Sequence, residues 1–135
     1  SCEDASTAWG RARRHLRRDD PWQRPARRAL ETALATCWAV RAEPPMEPNT
    51  ALDDPPRQAA LWIQEARRLD HHAPEVVRVS TVLGDRWEAE GSIAWAQGDT
   101  DGAWRGWRDA LMADPGRSGL RRQLESVRAT RLNLP

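Results

Sequence analysis

The chain has 135 residues, 39% hydrophobic and 30% charged, with a net charge of +1. This length suits one domain with one modest core, this balance favours a folded over a disordered chain, and no window approaches the roughly 18 apolar residues that span a bilayer. Nine Arg face five acids in residues 1–42, seven face fourteen in 43–115 and five face one in 116–135; a nucleic-acid binder carries its basic excess over the whole domain, so nucleic acid is not an expected partner.

Helix is the only strong periodic signal. Ala5, Trp9, Ala12 and Leu16 fall on one face of a first helix, with Arg11, Arg14 and Arg18 on another. Asp20-Pro21-Trp22-Gln23 then offers an N-cap, a Pro at the first helical position and a Gln three residues after the cap. The helix it opens, over 22–42, is expected to bury Leu30, Ala33, Leu34, Cys37 and Trp38. Residues 43–56 carry five Pro and form a loop, because Pro lacks an amide donor and disfavours helix before it. Asp54 is placed to cap a third helix over 55–70, with Pro55 at its first position and Ala59, Ile63, Ala66 and Leu69 inward. Further helices are predicted over 74–97, 100–113 and 118–132. The last has Ser118 as its cap, Leu120, Leu124 and Val127 inward, and Arg121, Arg122 and Arg128 outward.

Between 87 and 115 the spacing is more specific. Trp87, Glu90, Gly91 and Ala94 precede a Gly98-Asp99 turn, and Ala103, Trp107 and Ala110 precede Asp114-Pro115. Large, small and turn-forming residues recur at the offsets of one helix–turn–helix unit. This stretch resembles a tetratricopeptide repeat, with Glu90 where the family has Leu and Ala94 where it has a large aromatic. The third helix echoes it in part: Ala59, Ile63, Ala66 and Asp70 match Ala103, Trp107, Ala110 and Asp114 at an offset of 44 residues. The family repeat is 34 residues, so about ten are extra, and Pro74 to Leu83 supplies them as an extension of the fourth helix.

The expected fold is therefore all-α: about six helices in antiparallel pairs, a fragment of a helical solenoid closed by a capping helix. One domain is expected over 1–135, with an N-terminal helix pair (1–42), a Pro-rich loop (43–56) and a repeat-like region (57–135). Trp87, Gly91, Ala103, Trp107, Ala110 and Pro115 are its structural positions. The resemblance implies that the first helix of a unit lines a peptide-binding groove. It makes Asp85, Glu88, Ser92 and Trp95 the candidate partner-binding residues, one stripe suited to an Arg-bearing segment by ion pairing and cation–π contact.

The remaining conspicuous residues have modest readings. Cys2 matches the end of a bacterial lipoprotein processing site, so it is a candidate lipid anchor; paired with Cys37 it would instead mark an oxidising compartment. Cys37 alone reads as a small buried hydrophobe. His71-His72 reads as an interhelix turn, since adjacent helical residues diverge by about 100° and lack the same-face spacing of a zinc site. The basic run Arg11, Arg13, Arg14, Arg17 and Arg18 reads as a solvated face, with RNA or anionic lipid as the alternative. No triad, phosphate loop or metal signature appears, so no enzyme, cofactor or metal is expected. The function expected is a non-catalytic bacterial adaptor or assembly factor that binds a protein or peptide. The expected location is periplasmic, with a membrane link only through Cys2, or else cytoplasmic. Arg-face binding to nucleic acid or anionic membrane, or homo-oligomerisation through exposed Trp, is the alternative.

Overall fold

The computed structural model describes residues 1–17, 20–43 and 55–132. Arg18, Asp54 and the Pro-rich segment 44–54, to which roles were given above, lie outside the described residues. Among those described, the chain forms six α-helices: α1 (Cys2–Ala12), α2 (Arg24–Ala42), α3 (Pro55–Asp70), α4 (Pro74–Ala96), α5 (Thr100–Ala113) and α6 (Ser118–Leu132). They pack on one another as an all-α fold. A 3₁₀ turn over Arg13–His15 finishes α1.

Helix α1 differs from its expected amphipathic face. Ala5 and Ala12 are exposed, while Cys2 and Trp9 are buried and Ser6 is half-buried. Tertiary bonds to α2 select this face. The Trp38 indole donates to Ser6 Oγ at 2.9 Å, Arg41 pairs with Glu3, and Cys2 is disulfide-bonded to Cys37 with Cα atoms 5.9 Å apart. The sulfur of Cys2 is thus committed, and a disulfide sulfur cannot also carry a lipid thioether. In this structure Cys2 is a staple, not the lipid anchor its position suggested.

The expected capping box before α2 does not form. Asp20 Oδ1 accepts the Trp22 amide at 2.9 Å, as an Asx turn, and Gln23 Oε1 accepts the Arg17 amide at 2.7 Å instead of turning back to the cap. The helix consequently begins at Arg24, with Gln23 as its cap residue. Its buried face is Leu34, Ala35, Trp38, Ala39 and Ala42, while Leu30 and Ala33, expected inside, are exposed. Helices α2 and α3 run antiparallel. Thr32 donates to Asp70 Oδ2 at 2.6 Å at one end, and at the other the Arg41 guanidinium lies 4.5 Å from the Trp62 ring centroid.

The break between α3 and α4 is local chemistry. Asp70 Oδ1 accepts the His72 amide at 3.0 Å, and Pro74 starts the next helix. His71 and His72 sit in this turn as expected, with ring centroids 4.0 Å apart. Helix α4 then runs 23 residues unbroken, so Pro74 to Leu83 is indeed helical.

The α4–α5 hairpin is the tightest junction. Gly98 has φ +79°, the left-handed region that favours glycine. The Asp99 amide donates to Ala94 O at 2.9 Å and the Gly98 amide to Trp95 O at 3.1 Å, which completes a Schellman ending. Asp99 Oδ1 then caps α5 by accepting the Gly102 amide at 2.8 Å. The helix backbones meet where Gly91 faces Gly106. A Cβ on Gly106 would fall 2.8 Å from Gly91 Cα, and one on Gly91 would fall 2.6 Å from Trp107 Cδ1.

Trp87, Trp107, Ala103 and Ala110 are buried around that crossing, while Pro115 is exposed. Ile63, Val76, Val79, Leu83 and Val127 are the largest fully buried side chains. Leu120 and Val127 bring α6 onto this core, and Leu124 is half-buried. Ser118 is the first residue of α6 rather than its cap. At the far end Arg131 pairs with Asp101 at 2.9 Å and lies 4.8 Å from the Trp104 ring centroid.

Candidate functional site

Asp85, Glu88, Ser92 and Trp95 lie on one stripe of α4, as their spacing requires, but they do not share one environment. The lower half is filled from within the chain. Arg117, in the turn before α6, donates to Asp85 Oδ1 at 2.7 Å, Glu88 Oε2 at 2.5 Å and Asp114 Oδ2 at 3.1 Å. Its Nη2 also reaches Thr81 O at 3.3 Å. A guanidinium is a fork of five donors and suits several carboxylates at once, as an ammonium does not. Burial pushes the Arg117 group down, but its hydrogen bonds to Asp85, Glu88 and Asp114 outweigh that and hold it above the usual arginine range. Its side chain is only 16% exposed.

Gly84 makes the space. A Cβ there would stand 2.7 Å from Arg117 Nη2 and 2.8 Å from its Nε. Neither Gly84 nor Arg117 was singled out by sequence reasoning. The available signal was a glycine inside a helix with acids one and four residues later, a slot beside two charges.

The upper half of the stripe is open. Ser92 is exposed and Trp95 is 45% exposed, with its ring centroid 6.0 Å from that of buried Trp107. The Asp85 side chain is itself 68% exposed.

An open concavity lies elsewhere. A groove of about 600 Å³ opens between α3, α5 and α6. Leu111, Met112 and Leu124 supply apolar wall, and Arg67, Arg68 and Arg108 stand around it, with His71 in the adjoining turn. Arg68 is held by Glu65, and Arg108 by buried Asp109 at 3.0 Å. Arg67 has no acidic partner among the described residues. Among the described residues no three His, Cys, Asp or Glu side chains gather as metal ligands. No helix of the described residues is long and apolar enough to cross a membrane. No family model, curated protein or solved structure matches this chain.

Proposed function

We propose that this chain is a non-catalytic protein-interaction module, a small adaptor or assembly factor. The observation that carries the reading is the α3/α5/α6 groove, whose apolar wall and arginine rim suit a partner segment rather than a reaction. The tetratricopeptide-like spacing of 87–115 supports the same class of work. An arginine-bearing partner was expected at Asp85 and Glu88, but those carboxylates are engaged by Arg117. The open groove favours the opposite chemistry: a Leu- or Ile-like side chain beside an Asp or Glu. Arg67, which has no acidic partner among the described residues, is the residue assigned to the partner's carboxylate.

A displayed random-peptide library tests this. Enriched peptides are expected to pair an aliphatic residue with a carboxylate and to lose binding on Arg67→Glu. Failure to enrich any sequence, or enrichment that survives Arg67→Glu, contradicts the reading. The staple supports an oxidising compartment such as the periplasm, because a disulfide persists outside the reducing cytosol. Non-reducing peptide mapping of native material should recover a Cys2–Cys37 cross-link, and free thiols at both positions would contradict the compartment.

A further inference from the structure

The end of the molecule farthest in sequence from the groove carries a second surface. Residues 11–28 hold eight Arg and two Asp. Arg11, Arg13, Arg14, Arg17, Arg24 and Arg28 make no ion pair with an acid among the described residues. In their midst Trp22 is 89% exposed, whereas the next most exposed indole, Trp95, is 45% exposed.

Trp22 is not loosely tethered. Asp20 Oδ1 accepts its amide at 2.9 Å, Asp20 O accepts the Arg24 amide at 3.0 Å, and Gln23 Oε1 ties the turn back to Arg17. An ordered turn therefore holds a large amphipathic ring in water, where it contributes nothing to the core.

The surface continues along α2. Trp22, Ala26, Ala29, Leu30, Ala33 and Val40 recur at helical spacing and all are exposed. No charged residue interrupts that stripe, although 30% of the chain is charged. A helix facing water alone carries charges on its outer side. An uncharged outer stripe led by Trp, with the arginine-bearing 13–17 segment tied to the same turn through Gln23, is the arrangement of a helix lying at a lipid–water boundary.

We propose that this end of the protein docks on an anionic phospholipid surface. Trp22 sits at headgroup level, the α2 stripe lies along the boundary, and the arginines meet the lipid phosphates. Single-stranded RNA offers phosphates too, but it leaves the α2 stripe without a partner, and the Cys2–Cys37 disulfide places the chain where nucleic acid is scarce. The proposal does not depend on the groove reading above, because it uses none of the same residues.

Flotation of the full, oxidised chain with vesicles tests it. One set contains phosphatidylglycerol and phosphatidylcholine; the other contains phosphatidylcholine alone. Binding is expected to the first set only. Each arginine near an anionic surface is worth about fivefold, so Arg13→Gln, Arg14→Gln and Arg17→Gln together should weaken binding about a hundredfold. Trp22→Ala should weaken it roughly tenfold and abolish quenching by brominated lipid. The equal charge change on α6, Arg121→Gln with Arg122→Gln and Arg128→Gln, should leave it unchanged. All these side chains are exposed, and circular dichroism checks that the variants fold. Equal binding to neutral vesicles, no binding at all, an α6 variant as weak as the variant at Arg13, Arg14 and Arg17, or tighter binding to a single-stranded oligonucleotide would each overturn the proposal.

Discussion

Arg117 and Gly84 act as one device. The glycine leaves a slot, and the guanidinium fills it while joining Asp85, Glu88 and Asp114. Alanine normally stabilises a helix over glycine by about 0.5–1 kcal/mol. At Gly84 the added methyl meets Arg117, so Gly84→Ala should instead destabilise by about 1–3 kcal/mol, read from the midpoint of urea unfolding. Gly10 meets nothing within 4 Å, and Gly10→Ala should stabilise or be neutral in the same assay. Arg117→Lys should lose about 1–2 kcal/mol, because a single ammonium cannot serve three carboxylates. The arginines elsewhere show why guanidinium suits this chain: Arg41 lies over Trp38 and Trp62, and Arg108 and Arg131 lie over Trp104.

The helices themselves were largely legible, because their ends are written locally. Pro74, Gly98-Asp99 and Asp114-Pro115 punctuate the chain within a few residues of where α4, α5 and α6 begin. What sequence could not show depends on partners far along the chain. The face of α1 is chosen by Cys37, Trp38 and Arg41, more than thirty residues away. Leu30 and Ala33 fit the inward period of α2, yet that side faces water. Gly106 escaped notice although it lies three residues after Ala103 on the same stripe, because its reason is Gly91 on another helix. The acids of the stripe are legible in the sequence, but Arg117, which bonds them, is about thirty residues downstream.

Two element-scale outcomes follow. The disulfide closes a loop of 35 residues, so reducing it, or replacing both cysteines by serine, should cost about 4 kcal/mol on a chain-entropy account. Protection of α1 amides from hydrogen exchange should fall first, since α1 is tied chiefly to α2. The second outcome concerns acid. A hydrogen bond from Thr32 holds Asp70 below its usual 3.8, and Arg41 and Arg78 hold Glu3 and Glu43 below 4.5. A carboxyl whose folded pKa is depressed stabilises above its unfolded value and loses that contribution as pH falls through the folded one. The melting temperature should therefore be flat from neutral pH to about pH 5 and fall below about pH 4. Thr32→Val should reduce the fall that Asp70 causes.

At the scale of the whole molecule, charge and exposure divide the work. The middle of the chain is acidic, yet its densest carboxylates are spent on Arg117, and the open groove is rimmed with arginine. The N-terminal end combines several arginines that have no acidic partner among the described residues with an exposed indole. The two proposals draw on these two features separately. The most direct measurement of the groove's role is an amide and methyl chemical-shift titration with a peptide that pairs an aliphatic residue with a carboxylate. Perturbations should centre on Arg67, His71, Leu111 and Leu124, and Arg67→Glu should weaken binding by at least about tenfold. Perturbations centred on Asp85, Glu88, Ser92 and Trp95, with affinity indifferent to Arg67→Glu, would contradict it.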